Sequence, residues 1–152
     1  MYSALDIAKY IIVYCNTIGS AISNLKLQKV LYFVQAEFLV TIDTACFKEK
    51  IEAWALGPVV PVVYQKYKVF GSSIIPNISV GFFDRRIIQR DHRRLIEGVV
   101  DACKDFSASE LVSLTHSQSP WLDVYVKGKN NVIKKSAIRK FFSKEEKNGN
   151  KH

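Results

Sequence analysis

The sequence predicts an α+β protein, mostly helical, with about six helices around one core and a short two- or three-stranded β ribbon. Several segments place apolar residues at helical spacing behind a capping residue. The segment 48–56 instead alternates well enough for a short strand. A chain of 152 residues, 48% of them hydrophobic, is long enough to bury one core.

The first two predicted helices cover residues 4–15 and 24–41. Ser3 can cap the first helix, with Asp6 three residues later as in a capping box. Its predicted buried stripe is Leu5, Ala8, Ile12 and Cys15. In the second helix the buried stripe is Leu27, Leu31, Val34 and Phe38. A short turn containing Gly19 joins the two, which favours an antiparallel pair of helices.

A proline-containing corner follows the predicted strand. Gly57 and Pro58 are expected to end that strand, because proline removes a backbone donor. Pro61 suits the first turn of a helix over residues 61–70, with Gly71 behind it. The stretch "RRIIQ", residues 85–89, is predicted as a second strand that pairs with the first.

Three more helical segments are predicted in the last third of the chain. Asp91 is expected to cap a helix whose buried stripe includes Leu95, Val99 and Ala102, with Ile96, Val100 and Cys103 beside them. Ser107 and Glu110 form a second capping box, and Pro120 starts a short turn of helix. Ser136 is expected to cap the last helix, residues 137–142. We therefore expect one domain over residues 1–143 and a basic, disordered tail over 144–152.

The net charge of +8 is concentrated near the C-terminus, where nine Lys or Arg and two Glu follow residue 126. A second basic cluster lies between Arg85 and Arg94. The cluster comprises Arg85, Arg86, Arg90, Arg93 and Arg94. Such clusters favour contact with nucleic acid or an acidic partner. A solubilising basic tail is the alternative explanation of the C-terminal part.

Several classes of protein are disfavoured. The sequence has no apolar run long enough to span a membrane and no recognisable secretory signal, so we expect a cytoplasmic protein. Cys15, Cys46 and Cys103 are predicted to be buried, reduced thiols. Zinc-ligand spacing and phosphate-binding glycine motifs are absent, so no cofactor is expected. His116 has Ser113 and Asp123 nearby, but no sharp nucleophile turn accompanies them.

Three stretches together are similar to the signature blocks of the Panacea domain family. They are "LKLQKVLYFVQAEFL" (25–39), "IEAWALGPVVPVVYQKYKVFG" (51–71) and "LTHSQSPW" (114–121). Their order and spacing resemble that family, which includes SocA-like antitoxins and phage-associated proteins, over residues 3–142. The resemblance carries over to these partner-binding or motif positions: Lys26, Gln28, Lys29, Tyr32, Trp54, Gly57, Pro58, Pro61, Tyr64, His116 and Trp121.

The resemblance implies an antitoxin that binds and neutralises a protein toxin encoded in the same operon. It implies no enzymatic activity. It also raises the prospect of an adaptor that delivers the toxin to a ClpXP-type protease. The corner at Pro58 and Pro61 is then either pure architecture or the edge of a toxin-facing groove. The alternative function is a nucleic-acid-binding protein that uses the Arg85–Arg94 cluster and the basic C-terminus.

Overall fold

The computed structural model describes the backbone of residues 1–149, with side chains up to residue 146. This part of the chain forms seven α-helices and three short β-strands, which confirms the predicted mostly helical α+β class. The helices are α1 (Ala4–Thr17), α2 (Asn24–Thr41), α3 (Pro61–Tyr67), α4 (Arg90–Cys103), α5 (Ala108–His116), α6 (Ser119–Leu122) and α7 (Lys135–Gly149). The strands are β1 (Ile51–Trp54), β2 (Gly57–Val59) and β3 (Val132–Ile133).

Helix α2 lies at the centre of the molecule and packs against α1, α3, α4, α5, α7 and β2. Its bounds match the prediction, and its four predicted stripe residues are all buried. The hydroxyl of Ser23 caps it by accepting a hydrogen bond from the Lys26 N–H at 3.3 Å. Burial extends well beyond the apolar stripe, because Asn24, Gln28, Lys29 and Gln35 are also buried on this helix.

The chain start is fixed to the segment that precedes β1. Ser3 caps α1 by accepting from the Asp6 N–H at 3.1 Å, as predicted. The Tyr2 N–H donates to the Cys46 carbonyl at 2.8 Å, and the Lys48 N–H donates to the Tyr2 carbonyl at 3.3 Å. These hydrogen bonds pair the backbone groups of Tyr2, and they fix the segment that precedes β1 against the start of the chain.

The three strands form an antiparallel sheet in the order β2-β1-β3. The predicted partner of β1 was wrong, because residues 85–87 form a 3₁₀ turn instead of a strand. Strand β1 does end before Gly57 and Pro58, but the expected turn at Pro58 was wrong, because a second strand begins there. Pro58 lies within β2, opposite Ala53. Strand β2 lies at the edge of the sheet, so one of its sides has no neighbouring strand. A proline is tolerated in such a strand, because its missing N–H need not donate to another strand on that side.

The capping box of α5 is confirmed, with both reciprocal bonds between Ser107 and Glu110 present. The predicted cap of α4 was wrong. Gln89 occupies the cap position, and Asp91 lies in the first turn. A negative charge there still interacts favourably with the positive end of the helix dipole. The α4 stripe also differs from the prediction. Ile96, Val100 and Cys103 are buried on α4, whereas Leu95 and Val99 are only half-buried and Ala102 is exposed.

Helix α7 begins at Lys135, so Ser136 is its second residue and not its cap. The helix continues through the predicted domain boundary at residue 143 to Gly149. Of the predicted tail, residues 150–152 lie outside the described residues. Between residues 1 and 149, none of the helices has the length and apolar character needed to cross a bilayer.

Candidate functional site

Polar side chains of α2 form hydrogen bonds with the backbone of the β1–β2 hairpin and of Val60, the residue that follows it. Gln28 accepts from the Val60 N–H at 2.9 Å and donates to the Asn24 side-chain oxygen at 2.9 Å. The Nζ atom of Lys29 donates to the Pro58 carbonyl at 2.8 Å. Gln28 and Lys29 are 1% and 0% exposed. Two of the predicted site residues therefore act inside the molecule, where an unmade backbone bond costs most.

Lys29 is the unusual member of this group, because a buried amine is costly to keep charged. Burial lowers its pKa from 10.5 to about 7. No ion pair to Lys29 occurs among the residues that the structure describes. Its position is thus maintained by the Pro58 carbonyl and by packing, not by a counter-charge.

Gly57 permits this close approach of hairpin and helix. Its φ is +105°, a conformation that residues with a side chain rarely adopt. A Cβ atom at this position would lie 2.7 Å from the Thr115 Oγ1 atom and 2.8 Å from the Lys29 Cε atom. The predicted glycine is therefore required by both backbone conformation and space, and it brings β2 into contact with α2 and α5.

Tyr32 links α2 to the start of α6. Its hydroxyl donates to the Gln118 side-chain oxygen at 2.8 Å, and burial raises the pKa of the phenol. The ring packs edge-to-face against Phe33 and Phe142, with centroid distances of 5.2 and 5.7 Å. Through Gln118 and Phe142, Tyr32 thereby connects the start of α6 to α7.

His116 and Trp121 fix the tip of the hairpin. The Trp121 indole donates to the Trp54 carbonyl at 2.8 Å. The His116 Nε2 atom lies 2.9 Å from the Ala55 carbonyl, and because a carbonyl only accepts, this nitrogen carries the proton. The two rings stack with centroids 4.1 Å apart. This geometry gives His116 a structural partner in the hairpin, 61 residues away in sequence.

Trp54 and Pro61 complete the corner. The Trp54 ring packs edge-to-face on Tyr64 at 4.9 Å, and its indole donates to Glu52 at 3.0 Å. Pro61 is the first residue of α3, as predicted from its missing N–H. The Tyr64 carbonyl accepts from the Asn24 side chain at 3.2 Å, so α2 holds α3 as well as the hairpin.

The hairpin, its α2 contacts and the 114–121 segment therefore form a single cluster, which we call the hairpin clamp. A family model described as "Antitoxin SocA-like, Panacea domain" matches residues 27–122, more than half of the chain. The chain belongs to this family. All of the clamp except Asn24 lies within the matched Panacea domain.

One named relative of this Panacea domain is Antitoxin SocA from Caulobacter vibrioides (strain NA1000 / CB15N). It is 38% identical over an alignment of 116 residues, and the match covers 70% of this chain and 61% of the relative. The chain thus corresponds to less than two thirds of that protein's length. No solved structure matches the chain.

Three buried polar residues were missed as site residues: Asn24 and Gln118 in the clamp, and Gln35 further along α2. Gln35 accepts from the Cys46 N–H at 2.7 Å and donates to the Phe47 carbonyl at 2.9 Å. Asn24 and Gln28 are four residues apart on one helix face, and the series Gln28, Tyr32, Gln35 continues along it. Such polar periodicity was the available signal. Gln118 carried no comparable signal, because its partner is 86 residues away.

Other predicted features lie outside the clamp. Lys26 is half-exposed, and its Nζ atom donates to the Lys104 carbonyl at 3.2 Å. Arg85 and Arg90 are exposed, whereas Arg86 is paired with Asp84 at 2.9 Å. On α2, Gln28 and Lys29 are buried, so neither side chain is available to contact the edges of nucleic-acid bases.

The thiols of this domain behave as predicted. Cys15, Cys46 and Cys103 are free and buried, and burial raises the pKa of Cys15 and Cys103 to about 11. Such thiols are poor nucleophiles at neutral pH. Within residues 1–149, no three His, Cys, Asp or Glu residues cluster closely enough to hold a metal ion.

Proposed function

We propose that this protein is a cytoplasmic, non-catalytic antitoxin that neutralises a protein toxin by forming a direct complex with it. The observation that carries this proposal is the 38% identity to Antitoxin SocA across 70% of the chain. We further propose that the toxin is encoded in the same operon. Co-expression from one transcript would supply inhibitor and toxin together.

The geometry of the clamp supports a binding module. Its polar side chains are engaged with backbone groups of the same chain, so they build a rigid frame. Its hairpin tip remains at the surface, where Leu56 is 54% exposed. A preorganised frame with apolar residues on its surface suits protein recognition, because little conformational entropy is lost on binding.

A rescue experiment tests this proposal. The neighbouring gene is placed under a tight inducible promoter and expressed with or without this chain, and complexes are isolated on the chain. We expect growth arrest by the neighbour alone, relief by the chain, and a stoichiometric complex. A version of the gene with an early stop codon controls for effects of the transcript. A harmless neighbour that forms no complex would overturn the proposal.

We propose, as the finer mechanism, that the chain also delivers the toxin to a ClpXP-type protease. Purified protease, toxin and chain allow a direct test by following the toxin on gels. Faster loss of toxin with the chain present, while the chain itself persists, is the expected result. Stable toxin in a complex that still neutralises would instead make the chain a simple inhibitor.

Nucleic-acid binding is the second candidate, favoured by the net charge of +8 and by exposed Arg85 and Arg90. Phosphate contacts would make the affinity for a random DNA duplex fall with salt, with a slope of about −0.9 per neutralised phosphate. Fluorescence anisotropy at several salt concentrations measures this slope. Micromolar binding at physiological salt that Arg85→Ala and Arg90→Ala weaken would support this candidate.

A further inference from the structure

An apolar groove lies between α2, α4, α5 and α7, and Leu114 at the start of the clamp's 114–121 segment is part of its lining. We call it the four-helix groove. Its volume is about 760 Å³. Phe33 and Val40 from α2, Leu95 and Val99 from α4, and Phe142 from α7 line it. The α4 residues are the ones predicted to be buried, so the fold leaves part of an apolar helix face uncovered.

Small residues interrupt this apolar lining at Ala36, Gly98 and Ala102. A Cβ atom on Gly98 would meet nothing within 4 Å. Gly98 also lies in the middle of α4 without a positive φ, so neither packing nor backbone conformation within the chain requires glycine there. Glycine in the interior of a helix is less favourable than alanine. A partner whose backbone approaches closely would explain it.

The dimensions fit a helix. On α4 the lining runs from Arg94 to Cys103, which is about 14 Å at a rise of 1.5 Å per residue. On α2 it recurs at helical spacing from Phe33 to Val40. Each of these two lining stretches is long enough to contact about two turns of a third helix laid along the groove. Amphipathic helices use such grooves through apolar residues at i, i+3 or i+4, and i+7.

The charge at the groove identifies the kind of helix. Glu37, Glu145 and Glu146 line it, against a single base, Arg94. This local acidic excess lies on a chain whose net charge is +8. Complementary charge across an interface steers association and selects partners. A helix with Lys or Arg beside its apolar anchors therefore fits best.

We propose that the four-helix groove receives a basic amphipathic helix of the toxin. The inference rests on the proposed antitoxin function. The clamp supports the groove through Tyr32, whose ring contacts Phe33 and Phe142 on two of its walls. Phe33 and Phe142 also pack edge-to-face at 6.1 Å, which fixes the separation of α2 and α7.

A Gly98→Trp variant tests the groove by filling it. Tryptophan is a better helix former than glycine and has open space there, so the variant should fold as stably as the wild type. Ser113→Trp adds similar bulk to an exposed helix position outside the groove. Binding of the purified neighbouring-gene product is measured by calorimetry. We expect Gly98→Trp to raise Kd about 30-fold or more, and Ser113→Trp to leave it within about twofold.

A charge-reversal variant tests the basic character of the partner. Glu145→Lys with Glu146→Lys should weaken binding about 5- to 10-fold at low salt and reduce its salt dependence. Unchanged affinity and salt dependence would overturn the basic-helix assignment.

The outcomes separate the two proposals. Tight binding by the wild type and equally tight binding by Gly98→Trp would overturn the groove and leave the antitoxin function standing. Absence of binding by the wild type would remove both. Sedimentation of the chain alone detects a third outcome. A dimer that Gly98→Trp dissociates would show that a second copy fills the groove, and would overturn the toxin helix.

Discussion

The Nζ atom of Lys29 lies 2.8 Å from the carbonyl oxygen of Pro58, at a position that is 0% exposed. One end of this contact belongs to the central helix and the other to the edge strand of the sheet. It joins two segments 29 residues apart in sequence. Its strength depends on the protonation of a buried amine, which makes it measurable by pH.

We expect Lys29→Met to change how stability depends on pH. The pKa of Lys29 is about 7 in the folded protein, against 10.5 for a fully solvated lysine side chain. Between these values the unfolded chain binds more protons, so the wild-type free energy of unfolding rises with pH. From pH 7 to 8.5 the rise in the free energy of unfolding due to Lys29 is about 2 kcal/mol. Urea unfolding at several pH values measures the free energy of unfolding, and Lys29→Met should lack this rise.

Lys26→Met is the matched control, because Lys26 lies on the same helix but is half-exposed. It should keep the wild-type slope. The range stops at pH 8.5 because Cys15 and Cys103, with raised pKa values of about 11, oppose the trend once unfolded thiols ionise near pH 9. If the free energy of unfolding changed with pH equally in Lys29→Met and the wild type, Lys29 would not be a neutral buried amine in this range.

Gly57→Ala should destabilise the protein by about 2 to 4 kcal/mol. The left-handed φ alone costs about 1 to 2 kcal/mol for a residue with a side chain. The added methyl group would also approach the Thr115 Oγ1 atom to 2.7 Å. Thermal and urea unfolding measure the loss. Gly98→Ala, with open space and no positive φ, should instead stabilise by about 0.5 to 1 kcal/mol.

Gln35→Met should cost about 3 kcal/mol or more. The side-chain amide pairs with the backbone N–H groups of Cys46 and Phe47 and with the Phe47 carbonyl. Methionine has similar volume but leaves these buried groups unpaired, at about 1 to 3 kcal/mol for each. Gln65→Met, at an exposed position of α3, should change the free energy of unfolding by less than about 0.5 kcal/mol. A small effect of Gln35→Met would show that water replaces the amide.

Trp121→Phe should destabilise by about 1 to 3 kcal/mol, because the Trp54 carbonyl loses its indole donor. Trp54→Phe is the comparison, since it removes an indole that donates to Glu52 at a partly exposed site. We expect a smaller loss for that variant. Chemical unfolding followed by far-UV circular dichroism avoids dependence on tryptophan fluorescence. Equal losses of stability in the two variants would contradict the conclusion that the Trp121 hydrogen bond fixes the hairpin tip.

His116→Ala distinguishes the structural role of this histidine from a catalytic one. Loss of the bond to the Ala55 carbonyl and of the stack on Trp121 should lower stability by about 1 to 2 kcal/mol. In the co-expression rescue, the variant should still relieve toxicity at a temperature where it stays folded. A folded variant that fails to rescue, while still binding the toxin, would indicate chemistry at His116.

Much of the helical structure was determined by the sequence itself. Ser3, Ser23 and the Ser107–Glu110 pair mark helix starts because a side-chain oxygen satisfies a nearby N–H. Apolar spacing predicted the buried face of α2 for an equally local reason. The resemblance of three short blocks also identified the family, which the match over residues 27–122 shows.

The tertiary structure alone decided the sheet pairing, the burial of Lys29 and the uncovered face of α4. Strand β2 has three residues and contains Pro58, so local propensity disfavours it, and only its edge position beside β1 makes it stable. Lys29 becomes buried because a distant carbonyl and Gly57 meet it. On α4, periodicity marks Leu95 and Val99 as apolar, but neighbouring helices determine whether anything covers them. Pairing and coverage are long-range properties, whereas caps and periodicity act within one or two helical turns.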